Sequence, residues 1–265
     1  MRVGLVQMAA SEDKVANLAA VVDAVEQLAG QGAELIVAPE ASMHGFGAPD
    51  LPLAPVAEPL DGPFVTGLQE AARRHGVTVL AGMFEPVEGD ASRAYNTVVA
   101  LGPDGALVGR YRKQHLFDAL GWMESKRLEP GMPDERLVFS CGEFTVGVLT
   151  CYDLRFPELT RALADDGATL LAVPAAWVAG PLKEDQWATL VRARAIENVL
   201  YVAAADQPAP SYAGRAMIVD PFGVVVTALG EAAGTALADV DLARVESCRG
   251  KMPSLSHRRW SVVPR

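Results

Sequence analysis

Three side chains that could carry out nucleophilic catalysis follow predicted strands or lie directly beside them: Glu40, Lys113 and Cys151. Cys151 follows the apolar run Phe144 to Leu149 and precedes a Pro-Glu pair that is typical of a helix start. A cysteine at such an elbow lies near helix amides, which favour the thiolate. A carboxylate in partly apolar surroundings can move protons, and a lysine ammonium can stabilise an oxyanion.

Each of these residues also has an ordinary structural interpretation. A cysteine after a buried strand is often a small core hydrophobe, and a glutamate or lysine in a loop is usually solvated. His115 would offer a different mechanism, with a Cys-His pair, but no Asn or Asp motif in the sequence supports an imidazole base.

The elements that must position these residues alternate between strand and helix. Arg2 to Met8 and Glu34 to Ala38 are predicted strands joined by a helix, and the second strand runs into Pro39-Glu40. Farther along, the predicted helix Trp187 to Asn198 separates the strands Thr169 to Val173 and Leu200 to Ala204. Such β-α-β units predict parallel pairing through right-handed crossovers. We therefore expect an α/β fold with two β/α halves and two sheets covered by helices.

Two turn sequences predict antiparallel hairpins within the same sheets. Gly102-Pro103-Asp104-Gly105 separates two strand-like runs, and Asp220-Pro221-Phe222-Gly223 separates two more. Between the first hairpin and the cysteine, Arg112 to Gly131 is polar and loop-like. A loop of that length in a compact domain is usually functional.

The bulk properties restrict the class of protein. The 265 residues predict one domain, 1–265, and the net charge of −10 argues against nucleic-acid or anionic-membrane partners. Three cysteines without metal-ligand spacing predict neither a disulfide framework nor a metal site. No apolar run approaches the roughly 18 residues that span a bilayer, and the first residues lack a signal-peptide core. These features predict a cytoplasmic protein.

Six motifs, in order along the chain, resemble the nitrilase superfamily of carbon–nitrogen hydrolases. They are A-P-E at Glu40, Y-R-K-Q-H-L-F at Lys113, E-S-K-R-L-E-P-G from Glu124, C-Y-D-L-R-F-P-E-L from Cys151, R-A-R-A-I-E-N from Arg192 and D-P-F-G from Asp220. The resemblance extends from Arg2 to about Trp260.

The resemblance implies a four-layer α-β-β-α sandwich and a catalytic triad of Glu40, Lys113 and Cys151. Glu124 matches an additional active-site glutamate, and the Tyr152 amide would complete the oxyanion site. The implied reaction is hydrolysis of a linear, non-peptide amide to a carboxylic acid and ammonia through a thioester. No cofactor or metal is implied, and a homodimer or larger assembly is expected.

The substrate is less constrained. Cys-Tyr-Asp at the nucleophile, where nitrilases usually have Cys-Trp-Glu, favours amides over nitriles and resembles the Nit-type, ω-amidase-like branch. Arg155 would bind a substrate carboxylate, as in an ω-amide of a dicarboxylic acid, or else form an ion pair with an acid such as Glu158. Trp177 and Phe46 would line the pocket or pack in the core.

Two alternatives to this function remain open. One is an N-carbamoyl amino acid amidohydrolase, which would release carbon dioxide as well as ammonia. The other is a catalytically silent binding subunit, against which the complete set of Glu40, Lys113, Glu124 and Cys151 argues.

Overall fold

The protein is described by a computed structural model that covers residues 1–263. The predicted domain 1–265 therefore includes two residues, 264–265, that lie outside the described residues. The strands are β1 (Arg2–Gln7), β2 (Leu35–Val37), β3 (Thr78–Val87), β4 (Asp90–Leu101), β5 (Leu107–Arg112), β6 (Leu128–Glu129), β7 (Val138–Cys141), β8 (Phe144–Val148), β9 (Leu170–Pro174), β10 (Tyr201–Ala205), β11 (Met217–Val219), β12 (Val225–Ala228) and β13 (Gly234–Asp239). The helices are α1 (Lys14–Gly30), α2 (Pro63–His75), α3 (Pro157–Asp165), α4 (Lys183–Asn198) and α5 (Leu242–Lys251).

The strands form two mixed sheets of the same design. The first has the order β13-β1-β2-β3-β4-β5, with β6 beside β4, and the second has the order β12-β11-β10-β9-β8-β7. In each sheet three central strands pair in parallel, β1-β2-β3 in the first and β8-β9-β10 in the second. Antiparallel strands extend both sheets at their edges. The predicted α/β halves and both hairpins are confirmed.

The alternation of side chains along the strands separates the layers. In β1, Val3 and Leu5 belong to the core cluster that contains the second sheet together with α3 and α4 residues such as Leu163 and Val191. Val6 points to the opposite face and belongs to the cluster formed with α1 and α2. The layers are therefore α1 and α2, first sheet, second sheet, α3 and α4, which is the predicted α-β-β-α sandwich. None of the helices described over residues 1–263 has both the length and the apolar character needed to cross a bilayer.

Two segments near the end of the chain were not expected from the sequence. β13 completes the first sheet by pairing antiparallel with β1. Its sequence, G-T-A-L-A-D, is rich in small residues and has one β-branched side chain, so it gives a weak strand signal. α5 buries only Val245 and Cys248, which leaves its apolar periodicity faint.

The loop that carries Glu40 is positioned by close contact between its backbone and that of β3. This loop follows β2 and crosses β3 at Gly82, whose carbonyl oxygen accepts a hydrogen bond from the Met43 amide. A Cβ atom on Gly82 would collide with the backbone of Glu40 and Ala41. Only glycine allows the two backbones to cross this closely, so Gly82 helps to determine the position of Glu40.

Candidate active site

Glu40 is held by three hydrogen-bond donors from both sheets. Its Oε1 accepts from Lys113 Nζ at 2.9 Å and from Asn96 Nδ2 at 2.7 Å, and its Oε2 accepts from the Ala176 amide at 2.8 Å. The residue is 1% exposed, which excludes the solvated loop acid considered from the sequence. These three hydrogen bonds fix the orientation of the Glu40 carboxyl group.

Lys113 lies between two buried carboxylates. Its Nζ donates to both carboxyl oxygens of Glu124, at 3.1 and 2.9 Å, as well as to Glu40. Burial alone would lower the pKa of Lys113, but Glu124 and Glu40 outweigh it and raise the pKa well above its usual value. Burial raises the pKa of Glu124, and the Lys113 charge opposes that effect. The lysine is therefore a fixed ammonium rather than a base.

Cys151 occupies a strained elbow at the end of β8. Its φ of 47° is in the left-handed region, which costs a non-glycine residue about 1–3 kcal/mol. The short 3₁₀ helix Cys151–Arg155 begins there, closed by reciprocal hydrogen bonds between Thr150 and Asp153. The predicted elbow and the following helix α3 are both present. Strain of this kind persists where the surrounding structure fixes a side chain for a function.

The expectation of a stabilised thiolate at this elbow is wrong for the unliganded protein. Burial, and after it the charge of Glu40, raises the pKa of the Cys151 thiol well above its usual value, and Lys113 only partly opposes them. Cys151 is thus a neutral thiol that needs a base when it reacts.

Asp153 stabilises the elbow and is also the hydrogen-bond partner of the His115 ring. Its Oδ2 accepts from the Tyr111 hydroxyl at 2.7 Å, and its Oδ1 lies 2.7 Å from His115 Nδ1. The His115 ring stacks on Phe156 at 3.7 Å between centroids. With this partner and this stacking, His115 supports the turn, and the Cys-His alternative gains nothing from its position.

A small cavity opens over Cys151. It is lined by Phe46, Phe117, Trp122, Glu124, Cys151, Tyr152, Ala176, Trp177, Val178, Lys183 and Tyr212. The sequence analysis had named Phe46, Tyr152 and Trp177 as substrate-binding residues, and the structure places all three in this lining. The cavity volume is about 20 Å³, room for little more than one water molecule. A substrate must therefore displace part of the wall.

Arg155 is not among the residues that line the cavity. Its Nη2 donates to Gln186 Oε1 at 2.6 Å, and its guanidinium lies 4.8 Å from the centre of the Trp177 ring. Glu158, the alternative partner named from the sequence, is exposed and forms no ion pair with Arg155 among residues 1–263. Arg155 thus contacts a wall residue rather than the cavity itself.

The sequence analysis missed Asn96 and Lys183. Asn96 is an ordinary β4 residue in the sequence, and only the pairing of β4 with β3, over which the Glu40 loop crosses, brings it beside Glu40. Lys183 begins α4, a position where lysine is normally solvated. Neither residue carries a local signal of its role.

Comparisons with known proteins agree with this site. A sequence model described as carbon-nitrogen hydrolase matches residues 2–250. A deaminated glutathione amidase of Synechocystis is 38% identical over 95% of this chain and 96% of its own. The mouse omega-amidase NIT2 is 35% identical over 97% and 95%. The crystal structure of XC1258 from Xanthomonas campestris, a CN-hydrolase superfamily protein, superposes with a TM-score of 0.89 at 28% identity, covering 100% of this chain and 99% of that one.

The chain belongs to the carbon–nitrogen hydrolase family. The family match spans both sheets and every residue of the Glu40, Lys113, Glu124 and Cys151 cluster. The resemblance stated from the six motifs is thereby confirmed, and so is the nitrilase-type sandwich. The roles of the individual residues remain predictions that the geometry makes specific.

The charge of Glu40 predicts how the reactivity of Cys151 depends on pH. Alkylation by iodoacetamide follows the thiolate, so its rate should rise through a midpoint above the usual range of thiols. Glu40→Gln removes a neighbouring negative charge, so the midpoint should move down. Amide turnover should nevertheless fall by about 100-fold or more, because the base is lost.

Peptide mapping of the alkylated protein would measure this effect at Cys151, Cys141 and Cys248 separately. The exposed Glu143 provides the control, and Glu143→Gln should change neither the midpoint nor the turnover. An unchanged or higher midpoint in Glu40→Gln would show that the Glu40 charge does not act on the thiol.

Glu124 should be required for turnover and not for folding. Glu124→Gln keeps an acceptor for the Phe117 amide but removes the charge beside Lys113. We expect a loss in kcat of at least about 100-fold, the lower range for a positioned electrostatic group. The melting temperature should stay near wild type, since an amide is easier to bury than a carboxylate. A variant that is inactive only because it is unfolded would contradict this role.

Proposed function

We propose that this protein hydrolyses a linear, non-peptide amide to a carboxylic acid and ammonia through a thioester on Cys151. The observation that carries the proposal is the buried Glu40–Lys113–Glu124 cluster beside a cysteine that lines a small cavity. The amidase names of two similar proteins support the same reaction class. In the proposed reaction Glu40 supplies the base, Lys113 the fixed cation and Cys151 the nucleophile.

In the first half-reaction Cys151 attacks the amide carbonyl. The new bond joins Sγ to the carbonyl carbon, and the thiol proton passes to Glu40. The carbonyl oxygen becomes an oxyanion that the Lys113 ammonium and the Tyr152 amide stabilise. When this intermediate collapses, Glu40 gives the proton to the nitrogen and ammonia leaves.

The second half-reaction hydrolyses the thioester. Glu40, again a carboxylate, takes a proton from water, and the resulting oxygen nucleophile attacks the thioester carbonyl. The carbon–sulfur bond breaks, the carboxylic acid is released, and the proton returns from Glu40 to the sulfur. A neutral resting thiol suits this cycle because the proton it yields is the one that ammonia needs.

The side chains that line the cavity indicate which class of substrate would fit. Most of the lining side chains are apolar or aromatic, which suits a linear acyl chain. Within the proposal, an ω-amide of a dicarboxylic acid is the favoured class, because Lys183 adds a cation to this lining. The N-carbamoyl alternative gains no specific observation from the site.

Turnover assays test the proposal directly. Simple amides, monoamides of dicarboxylic acids, N-carbamoyl amino acids and nitriles should be compared by ammonia release. We expect amides to be the best substrates, with a transient acyl adduct on Cys151 detectable by intact mass. Cys151→Ala should lose activity by at least about 10⁴-fold, as expected for a nucleophile. Cys141→Ala is the control and should stay active; full activity in Cys151→Ala would refute the mechanism.

We further propose that the protein works as a homodimer or larger assembly in the cytoplasm. An exposed apolar patch around Gly223 supports the assembly: Ile196, Phe222 and Val224 are 48%, 40% and 57% exposed. Light scattering should give at least twice the monomer mass of 28.0 kDa, and Ile196→Arg should weaken the assembly. A monomeric wild type would contradict this proposal. The cytoplasmic location stays a prediction from the sequence.

A further inference from the structure

Lys183 is a buried cation in the cavity that the proposed reaction does not use. It is 5% exposed and lines the cavity together with Cys151. Its backbone is fixed, because its carbonyl oxygen accepts a hydrogen bond from Trp177 Nε1 at 3.0 Å. Its ammonium forms no hydrogen bond or ion pair with any residue between 1 and 263. A charged group in such a position costs free energy unless a partner arrives.

The immediate surroundings of Lys183 supply aromatic faces and a second cation. Its Nζ lies 4.4 Å from the centre of the Trp177 ring and 5.3 Å from that of Phe117. The guanidinium of Arg155 lies on the same Trp177 ring, at 4.8 Å. Burial, and after it the charge of Arg155, lowers the pKa of Lys183. Two cations on one indole, with no carboxylate paired to either among the described residues, form a site for an anion.

The two cations differ in what they can offer to a ligand. Arg155 is oriented by its hydrogen bond to Gln186 and is absent from the cavity lining. Lys183 reaches the cavity on a flexible stem, and its three N–H donors have no acceptor among the described residues. Lys183 therefore can contact a ligand directly, whereas Arg155 adds positive potential without lining the cavity.

We infer that Lys183 is a specificity-determining residue that binds a carboxylate at the far end of the acyl chain, remote from the amide under attack. This inference rests on the proposed amidase function, and it assigns to Lys183 the contact that the sequence analysis had sought in Arg155. A linear chain keeps the carboxylate away from Glu40 and Glu124, which would repel it. The bound carboxylate would in turn neutralise a cation that is otherwise buried without a partner.

Paired substrates test the inference by turnover. Succinamate, glutaramate and adipamate each carry the remote carboxylate, and butanamide, pentanamide and hexanamide are the same chains without it. Wild type should hydrolyse the best anionic amide with a higher kcat/KM than the uncharged amide of the same chain length. Lys183→Met keeps the apolar stem against Trp177 but removes the charge, so kcat/KM for that amide should fall roughly 10- to 150-fold. The uncharged amides should lose far less kcat/KM than the anionic amides do.

Further variants separate charge from packing. Lys183→Arg should recover part of the preference, and Lys183→Glu should reject anionic amides altogether. Lys251 is exposed on α5, so Lys251→Met controls for loss of one positive charge and should keep the wild-type preference. Equal losses on both substrate series in Lys183→Met, or a wild type that prefers uncharged amides, would overturn the inference and leave Lys183 a packing residue.

A binding measurement keeps this test independent of the proposed reaction. The methyl-ketone isostere of glutaramate, with a methyl group in place of the amide nitrogen, should protect Cys151 from iodoacetamide better than the uncharged hexan-2-one. In Lys183→Met this difference should disappear. If wild type hydrolysed no amide yet showed the protection difference, the proposed reaction would fail and the anion site would stand. The absence of any difference in wild type would refute the anion site itself.

Discussion

The site depends on one interaction, the Lys113 ammonium held between the carboxylates of Glu40 and Glu124. Its three members come from the loop after β2, the end of β5 and the loop that returns to β6. Removing Lys113 from such a buried group would typically cost about 3–5 kcal/mol, because the two carboxylates would then lie together without a compensating charge. The hydrogen bond from Ala176 to Glu40 extends the same network to the segment after β9 in the second sheet. The cluster thus connects the two sheets at the point where the nucleophile is presented.

This arrangement also explains why the resting cysteine is neutral. Burial raises the pKa of the Cys151 thiol most, and the charge of Glu40 raises it further, so Lys113 opposes these effects only in part. The enzyme therefore would keep its proton on sulfur until a carbonyl group arrives, when the charge moves from the carboxylate through sulfur to an oxyanion. The positive φ of Cys151 and the Asp153 anchor fix the direction of the thiol, so the proposed attack would need little reorganisation.

The sequence predicted the layers and the family because these signals are local. Val-rich runs, glycine and proline turns and the motifs at Glu40, Lys113 and Cys151 are each readable within about ten residues. The contribution of Asn96 depends on the pairing of β4 with β3, which the turn sequences did not predict. The neutral thiol was missed for a similar reason, since desolvation is a property of the assembled core. β13 and α5 were missed because small and polar residues leave their periodicity weak.

The position of Lys183 shows how one α/β scaffold separates reaction from recognition. The reacting groups follow strands of both sheets and are held by buried hydrogen bonds, which allow little movement. Lys183 instead begins α4, follows the exposed Leu182 and extends over the aromatic rings of Trp177 and Phe117. A flexible side chain there can shift as a substrate enters a cavity of about 20 Å³, whereas Glu40 cannot. Substitution at the start of α4 would therefore change which acyl chains are accepted without disturbing the cluster around Lys113.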